Sequence, residues 1–265
     1  GNAIIIAPSP KGVKPALALL RHIHKALAAL GLPDNLVQMS PAPPSKPKTQ
    51  RLMQSADLVV VTGSQSNVRA GYSSGTPALG VGAGNVVTII DETADIDDAA
   101  AKIAASKIFD NATSCSSENA VIAVDSVYDE VVAALGRHGG YLLDKAGADK
   151  LQSIHWHDGK MTTTLLAQDI ETVLEAMGLT ATAPDGTSFL VAPQEHISAD
   201  IPMTGEKMAR FLALYRASDF EDAKAKAVAI QTIQGAGHSL GLHSTDDSRA
   251  HALAMEARTL SLIHI

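Results

Sequence analysis

Short runs of β-branched and aliphatic residues alternate along this chain with longer stretches of helical periodicity. Residues 3–7 are a continuous apolar run, and after the turn Pro8-Ser9-Pro10-Lys11-Gly12 apolar positions recur at helical spacing over 13–30. The pattern predicts strand, turn and helix. Residues 35–39 read as a second strand. Four prolines within 41–47 remove too many backbone donors for a ladder, so that segment is predicted as a loop. A short helix follows over 49–55. Residues 58–62 (Leu-Val-Val-Val-Thr) are the clearest buried strand, and they run into the small polar turn Gly63-Ser64-Gln65-Ser66-Asn67-Val68, of the kind that opens a helix. The resulting βαβαβ order is the mononucleotide-binding arrangement, in which ligands lie beyond the carboxyl ends of the strands.

Downstream, Gly80, Gly82 and Gly84 precede a strand over 86–91. A crossing between domains is expected there, with a partial nucleotide-binding domain over 1–80 and a second domain over 81–265. Ile96, Ala99, Ala100, Ile103 and Ala104 repeat at helical spacing within 95–108, and acids cluster in the first turn, where the helix dipole favours them. Further strands are predicted at 120–124, 189–191 and 211–215, and helices at 128–136, 167–177 and 221–233. A chain that opens inside a buried-type strand is expected to continue upstream.

Composition sharpens this picture. The 265 residues are 46% hydrophobic but only 3% aromatic, a balance typical of helices laid on parallel strands, so the predicted class is α/β. Lys and Arg total 21 against 28 Asp and Glu, for a formal net charge of -7. No broad basic surface is available for a nucleic-acid backbone. No apolar run approaches the roughly 18 to 20 residues that span a bilayer, and the first residues lack the basic flank of a signal peptide. The reading is a soluble, cytoplasmic protein with neither nucleic acid nor membrane as partner. Cys115 is the sole cysteine, so no internal disulfide forms.

That cysteine is the first candidate for chemistry. The stretch Phe109-Asp110-Asn111-Ala112-Thr113-Ser114-Cys115-Ser116-Ser117-Glu118 places a thiol among small polar residues between a helix end and a strand. Such a loop exposes a nucleophile and surrounds it with backbone donors; the alternative is an ordinary buried cysteine. His155-Trp156-His157 and His22-Ile23-His24 resemble two-histidine metal pairs. Neither has a cysteine or clustered carboxylates to complete a ligand set, so these histidines are expected to face solvent and no metal site is predicted. Ser73-Ser74-Gly75 and Gly241-Leu242-His243-Ser244 lack the Gly-x-Ser-x-Gly elbow of a serine hydrolase.

The cysteine loop closely resembles the nucleophile loop of the CoA-acylating aldehyde dehydrogenases. Ala70-Gly71-Tyr72-Ser73-Ser74-Gly75-Thr76-Pro77-Ala78-Leu79-Gly80-Val81-Gly82-Ala83-Gly84-Asn85 resembles that family's glycine-rich crossing. Gly205-Glu206-Lys207-Met208 and Gly235-Ala236-Gly237-His238-Ser239 match its later segments in order and spacing. The resemblance runs from Gly1 to about Arg258, and several motifs in one order make a stronger signal than a lone glycine pattern.

The resemblance implies an incomplete Rossmann-like cofactor domain joined to an α/β catalytic domain that carries the nucleophilic Cys115. It implies a thiohemiacetal and then a thioester on that sulfur, with coenzyme A collecting the acyl group, in a protein that is a homo-oligomer when complete. Hydrolytic relatives carry a water-activating glutamate at the position matching Ala78, and alanine cannot take a proton. His238 matches a family histidine, read as assisting the CoA thiol or favouring the Cys115 thiolate, against a loop histidine bound to backbone. Glu206 matches the glutamate that contacts the nicotinamide ribose, against an ordinary helix-start acid. For NADP or NAD, the resemblance points to Pro8, Ser9 and Lys11 near the ribose, to Thr62, Gly63 and Ser64 near the pyrophosphate and nicotinamide, and to Gly80 in the crossing. No carboxylate lies among residues 7–12, which leans the choice toward NADP.

The family's oxyanion asparagine would lie upstream of Gly1, and residues 261–265 fall where the family continues differently, so that stretch is open as native sequence. Three readings follow: an acylating aldehyde dehydrogenase, a hydrolytic or phosphate-dependent relative, and an inactive nucleotide-binding fragment. The wording of both loops leans toward the sulfoacetaldehyde branch, with Lys107, Arg137 or Lys160 as the cation for a sulfonate.

Overall fold

A computed structural model describes residues 1–259 and 261–265. Its contacts divide the chain into two compact units, Gly1–Val81 and Gly82–Ile265.

The first unit runs β1 (Ile4–Ile6), α1 (Val13–Ala29), β2 (Val37–Met39), α2 (Lys46–Ser55), β3 (Val59–Thr62), α3 (Gln65–Tyr72) and β4 (Ala78–Val81). β1 pairs parallel with β2, and β3 parallel with β4. Two separate two-stranded ladders therefore stand where the strand pattern predicted one sheet. Residues 78–81, expected as glycine-rich crossing, form the strand β4 and pair with β3. The expected burial of these strands is also corrected. Ile4 is 58% and Val60 69% exposed, because a two-stranded ladder leaves one face bare of helices.

The second unit runs β5 (Val86–Ile90), α4 (Ile96–Ile108), β6 (Glu118–Val124), α5 (Tyr128–Arg137), β7 (Gly140–Leu142), α6 (Lys145–His155), β8 (Trp156–His157), β9 (Lys160–Met161), α7 (Ile170–Met177), β10 (Phe189–Gln194), β11 (Phe211–Ala217), α8 (Phe220–Ile233), β12 (Ser239–His243), α9 (Asp247–Glu256) and β13 (Ser261–His264). Seven of these strands form one parallel sheet in the order β13-β12-β5-β6-β11-β10-β7. Successive side chains of a strand point to opposite faces. In β6, Ala120, Ile122 and Val124 join one apolar core, while Val121 and Ala123 join the other. β11 divides likewise, with Phe211, Ala213, Tyr215 and Ala217 on one side and Leu212 and Leu214 on the other. Both faces are covered, which is why these strands read as unbroken hydrophobic runs. The helices begin on side-chain caps: Asp95 on α4, Asp169 on α7 and Asp219 on α8 each accept an amide hydrogen from the first turn. No helix among the described residues is long and apolar enough to cross a membrane.

At the carboxyl ends of β5 and β12, an ion pair staples α9 to the sheet. The fully buried Asp91 accepts from Thr93 N at 2.8 Å and Thr93 Oγ1 at 2.7 Å, and its Oδ2 lies 2.7 Å from Arg249 Nη1. Burial alone would raise the Asp91 pKa, but bonds from Ser244, Thr93 and Arg249 outweigh it and hold the carboxyl below its ordinary value. A depressed carboxyl contributes stability above its unfolded pKa and loses it as pH falls through the folded one. Arg249→Leu is therefore expected to cost about 3 kcal/mol at neutral pH in urea unfolding. The deficit should shrink as pH falls below the ordinary carboxylate range and through the lowered Asp91 value, where the wild type loses the charge that Arg249 pairs.

Candidate active site

Four neighbouring strands, β12, β5, β6 and β11, present their amino ends side by side. The segments entering them carry the candidate chemistry: Gly84 and Asn85 before β5, the Cys115 loop before β6, Glu206 to Arg210 before β11, and His238 before β12.

Cys115 is exposed, so it is not a core cysteine. Its loop is closed at the neck by Lys107 Nζ, which donates to the Glu118 carbonyl at 2.8 Å, and by Ser117 Oγ, which donates to the Ser106 carbonyl at 3.5 Å. Inside the loop Asp110, Asn111 and Ala112 take φ values of 48°, 51° and 59° in succession. In this left-handed region Cβ crowds the backbone, at about 1 kcal/mol or more per residue. Side chains hold the strained run in place. Thr113 Oγ1 donates to the Asp110 carbonyl and carboxylate, both at 2.7 Å. Arg210 Nε donates to Asn111 Oδ1 at 2.8 Å, and Asn111 Nδ2 donates to the Ala167 carbonyl at 3.2 Å. Ala167 and Met208 are themselves left-handed, and the Ala167 amide donates to the Met208 carbonyl at 3.0 Å. Three chain segments thus lock one another around the thiol-bearing loop.

Gly84 brings Cys115 and Glu206 together. A Cβ at Gly84 would stand 2.6 Å from the Cys115 carbonyl oxygen and 3.1 Å from Glu206 Oε1, and the Gly84 amide favours the charged Glu206 carboxylate. Burial raises the Glu206 carboxyl above its ordinary pKa, with that amide, Lys107 and Lys207 working against it. The buried Asn85 fastens the next two segments: its Nδ2 donates to the Thr204 carbonyl at 2.9 Å and the Gln234 carbonyl at 3.2 Å. Gln234 Oε1 in turn accepts from the Glu206 amide at 3.2 Å. Gly235, at φ 103°, lies so close to Asn85 that a Cβ would stand 2.8 Å from the asparagine Cβ. This close approach seats the loop that carries His238. The His238 ring is buried, its pKa is lowered by that burial, and its Nδ1 has no hydrogen-bond partner among the described residues.

Two lysines complete the site, and sequence reasoning missed this role for both. Lys107 and Lys207 have no exposed surface. Lys207 Nζ donates to the Met203 and Gly205 carbonyls, each at 2.7 Å, and its amide donates to Asn119 Oδ1 at 2.9 Å. The signal for Lys107 lay in its position: it continues the apolar stripe Ile96, Ala99, Ala100, Ile103 and Ala104 of α4. Its burial withdraws it as an anion reader. Of the other two cations considered for a sulfonate, Arg137 is paired with Asp97 at 2.7 Å and Lys160 is exposed on the β8–β9 hairpin. The expectation that His155 faces solvent is overturned as well. It is fully buried, with Nε2 2.8 Å from the Lys207 carbonyl, and burial lowers its pKa to about 4. It is the polar member of an apolar cluster with Trp156 and Phe211.

In the first unit, Pro8, Ser9 and Lys11 follow β1, where Ser9 Oγ accepts from the Gly12 amide at 3.2 Å and Lys11 is exposed. Thr62, Gly63 and Ser64 form the exposed turn from β3 to α3; Gly63 has φ 113°, and Ser64 caps the helix. An exposed strand-to-helix turn fits a pyrophosphate, and a free ammonium without a nearby acid in residues 7–12 fits a dinucleotide with an added phosphate. Gly80 is placed differently. Its amide donates to Tyr72 Oη at 3.1 Å, and a Cβ there would stand 2.7 Å from Val68 Cγ1, so it serves the packing of α3 on β4.

Known proteins resemble this chain in sequence and fold. The profile of the aldehyde dehydrogenase family matches residues 1–142. The sulfoacetaldehyde dehydrogenase (acylating) of Cupriavidus necator is 47% identical over 256 residues, which are 97% of this chain and 52% of that protein. Rhodopseudomonas palustris propionaldehyde dehydrogenase, solved with bound CoA and an acylated cysteine, superposes with a TM-score of 0.87 at 28% identity over 99% of this chain and 59% of that one. An engineered glycolyl-CoA reductase with bound NADP+ superposes with a TM-score of 0.88, also at 28% identity, over 99% and 59%. The chain spans about half the length of this C. necator protein.

Gly84→Ala tests how tightly the site is assembled. The added methyl group meets a backbone oxygen that cannot swing aside, so the substitution should cost about 1 to 3 kcal/mol in urea unfolding. Gly136→Ala, in α5 with open space around its Cβ position, should instead gain about 0.5 to 1 kcal/mol.

Proposed function

We propose that this chain, which belongs to the aldehyde dehydrogenase family, carries the thiol chemistry of an acylating aldehyde dehydrogenase, converting an aldehyde and coenzyme A to an acyl-CoA. The observation that carries this reading is the exposed Cys115 on a rigidly braced loop, packed through Gly84 against Glu206. The acylated cysteine and CoA of the R. palustris enzyme support it.

In this mechanism Cys115 adds as thiolate to the aldehyde carbon, forming the C–S bond of a thiohemiacetal. NADP or NAD, when bound, supplies the acceptor for the hydride that this adduct gives up. Pro8, Ser9, Lys11 and the Thr62 to Ser64 turn would hold the dinucleotide, and Glu206 would contact its nicotinamide ribose. Cys115 then keeps the acyl group as a thioester. Collection by CoA requires the proton of its thiol to go elsewhere. His238, whose charged form is disfavoured by burial, is the candidate acceptor for that proton. Ala78, standing where hydrolytic relatives carry a glutamate, cannot activate water in competition. The 47% identity to the C. necator protein makes sulfoacetaldehyde the first substrate to try.

The test is a panel of aldehydes, sulfoacetaldehyde included, offered to the complete protein with CoA and with NAD or NADP in turn. Acyl-CoA and reduced dinucleotide should form together, and Cys115→Ala should abolish both. Withholding CoA should give at most a single burst of reduced dinucleotide without free acid. Accumulation of free acid would favour the hydrolytic reading, and dinucleotide binding without turnover would favour the inactive one. His238→Gln should slow acyl-CoA release by about 100-fold while leaving the burst in place.

A further inference from the structure

The mechanism above leaves Lys107 unused, and its setting is unusual. The side chain has no exposed surface, and among the described residues its ammonium forms no direct ion pair; it donates to the Glu118 carbonyl at 2.8 Å. Lys107 stands in the last turn of α4 and Glu118 opens β6, so this bond ties together the two ends between which the Cys115 loop is strung. The second tie, Ser117 Oγ to the Ser106 carbonyl, is 3.5 Å long, the outer limit of a hydrogen bond. The ammonium therefore carries the closure. Burying it costs several kcal/mol, which a methionine of similar length would not. The charged and titratable groups facing it are Glu118 on β6, Glu206 and Lys207 before β11, and His155 at the end of α6. Burial pushes Lys107 down to about 7, while Glu118 and Glu206 work to keep it charged.

We propose that Lys107 is a positioning residue of the active site: its buried ammonium clasps the neck of the Cys115 loop and sets a positive charge on the Glu206 side of that loop. The proposal rests on Cys115 being the working nucleophile, but its test needs no turnover. In the complete protein, iodoacetamide alkylation of Cys115 is followed by mass spectrometry across neutral pH, alongside thermal unfolding and kcat. The variants are Lys107→Met and the charge-balanced Lys107→Met/Glu118→Gln, which removes one buried charge of each sign.

Both variants should stay folded. Below pH of about 7, where Lys107 is charged in the wild type, their Cys115 should alkylate about fivefold more slowly. The inflection that Lys107 adds to the wild-type profile should vanish. Turnover should fall about tenfold with the KM for the dinucleotide kept. Alkylation profiles that superpose on the wild type overturn the proposal even if kcat falls. Should Lys107→Met unfold, the double variant decides; if that unfolds too, Lys107 serves the fold rather than the loop and the proposal falls. A wild type that alkylates as described but oxidises no aldehyde would sink the dehydrogenase reading and leave the clasp standing.

Discussion

The parallel sheet of the second unit is covered by helices on both faces, and that covering decides where chemistry can be placed. Neither face of β5, β6, β11 or β12 is open to a small molecule, so reactive groups must sit where strands begin or end. Ligands of open α/β sheets usually gather at the carboxyl ends. In this unit the Asp91–Arg249 staple lies at those ends, beside a cleft lined by Glu92, Ser126, Ser218, Asp246 and Arg249. The thiol loop, Glu206, His238 and the Gly84-Asn85 pair are instead brought in at the amino ends of four adjacent strands. Entry segments of this kind follow helix carboxyl ends, α4 before the Cys115 loop and α8 before His238, whose negative dipole end does not hold an anion, so orientation must come from side-chain bonds. Asn85 performs this for two segments, the Asn111–Arg210 pair for a third, and Gly84 supplies the point of contact.

Much of this was legible from the chain because strands buried on both faces leave uninterrupted aliphatic runs. β5, β6, β10 and β11 all fell where such runs occur, and the cysteine loop was recognisable from its neighbours. β12 was not, because Ser239-Leu240-Gly241-Leu242-His243 breaks its run with a glycine. The structure explains that glycine: a Cβ would stand 2.5 Å from Thr88 Oγ1 on the paired strand. β4 was hidden by Gly80 in the same way. α6 escaped notice because its apolar face includes His155, which reads as polar but lies buried between Trp156 and Phe211. Propensity argues against such residues in a core; packing and one backbone hydrogen bond override it.

The site residues divide along the same line. Cys115 stood out by its type and its small polar loop, whereas Glu206 and His238 were singled out only by the family resemblance. Lys107, Lys207, Asn85 and Asn119 did not stand out, since lysine and asparagine are read as solvated surface unless position says otherwise. For Lys107 position did say otherwise, three residues beyond Ala104 on a stripe that is otherwise entirely apolar. Lys207, next to Glu206 in a segment without periodicity, offers no comparable cue. Its burial follows from tertiary structure alone.

The two lysines and two glutamates also place the site in tension with the fold. Glu118 and Glu206 are raised by burial while Lys107 and Lys207 are lowered, so each group is less readily charged than it would be in water. A lysine whose folded pKa is depressed binds fewer protons than the unfolded chain between the two values, and stability therefore rises with pH across that window. For Lys107 the window opens at about 7 and closes near the ordinary lysine value of 10.5. At neutral pH the fold still carries most of that penalty. A charge kept at such a cost, on the shorter of the two bonds that close the loop bearing the thiol, serves the site rather than the core, because the core would be better packed with methionine.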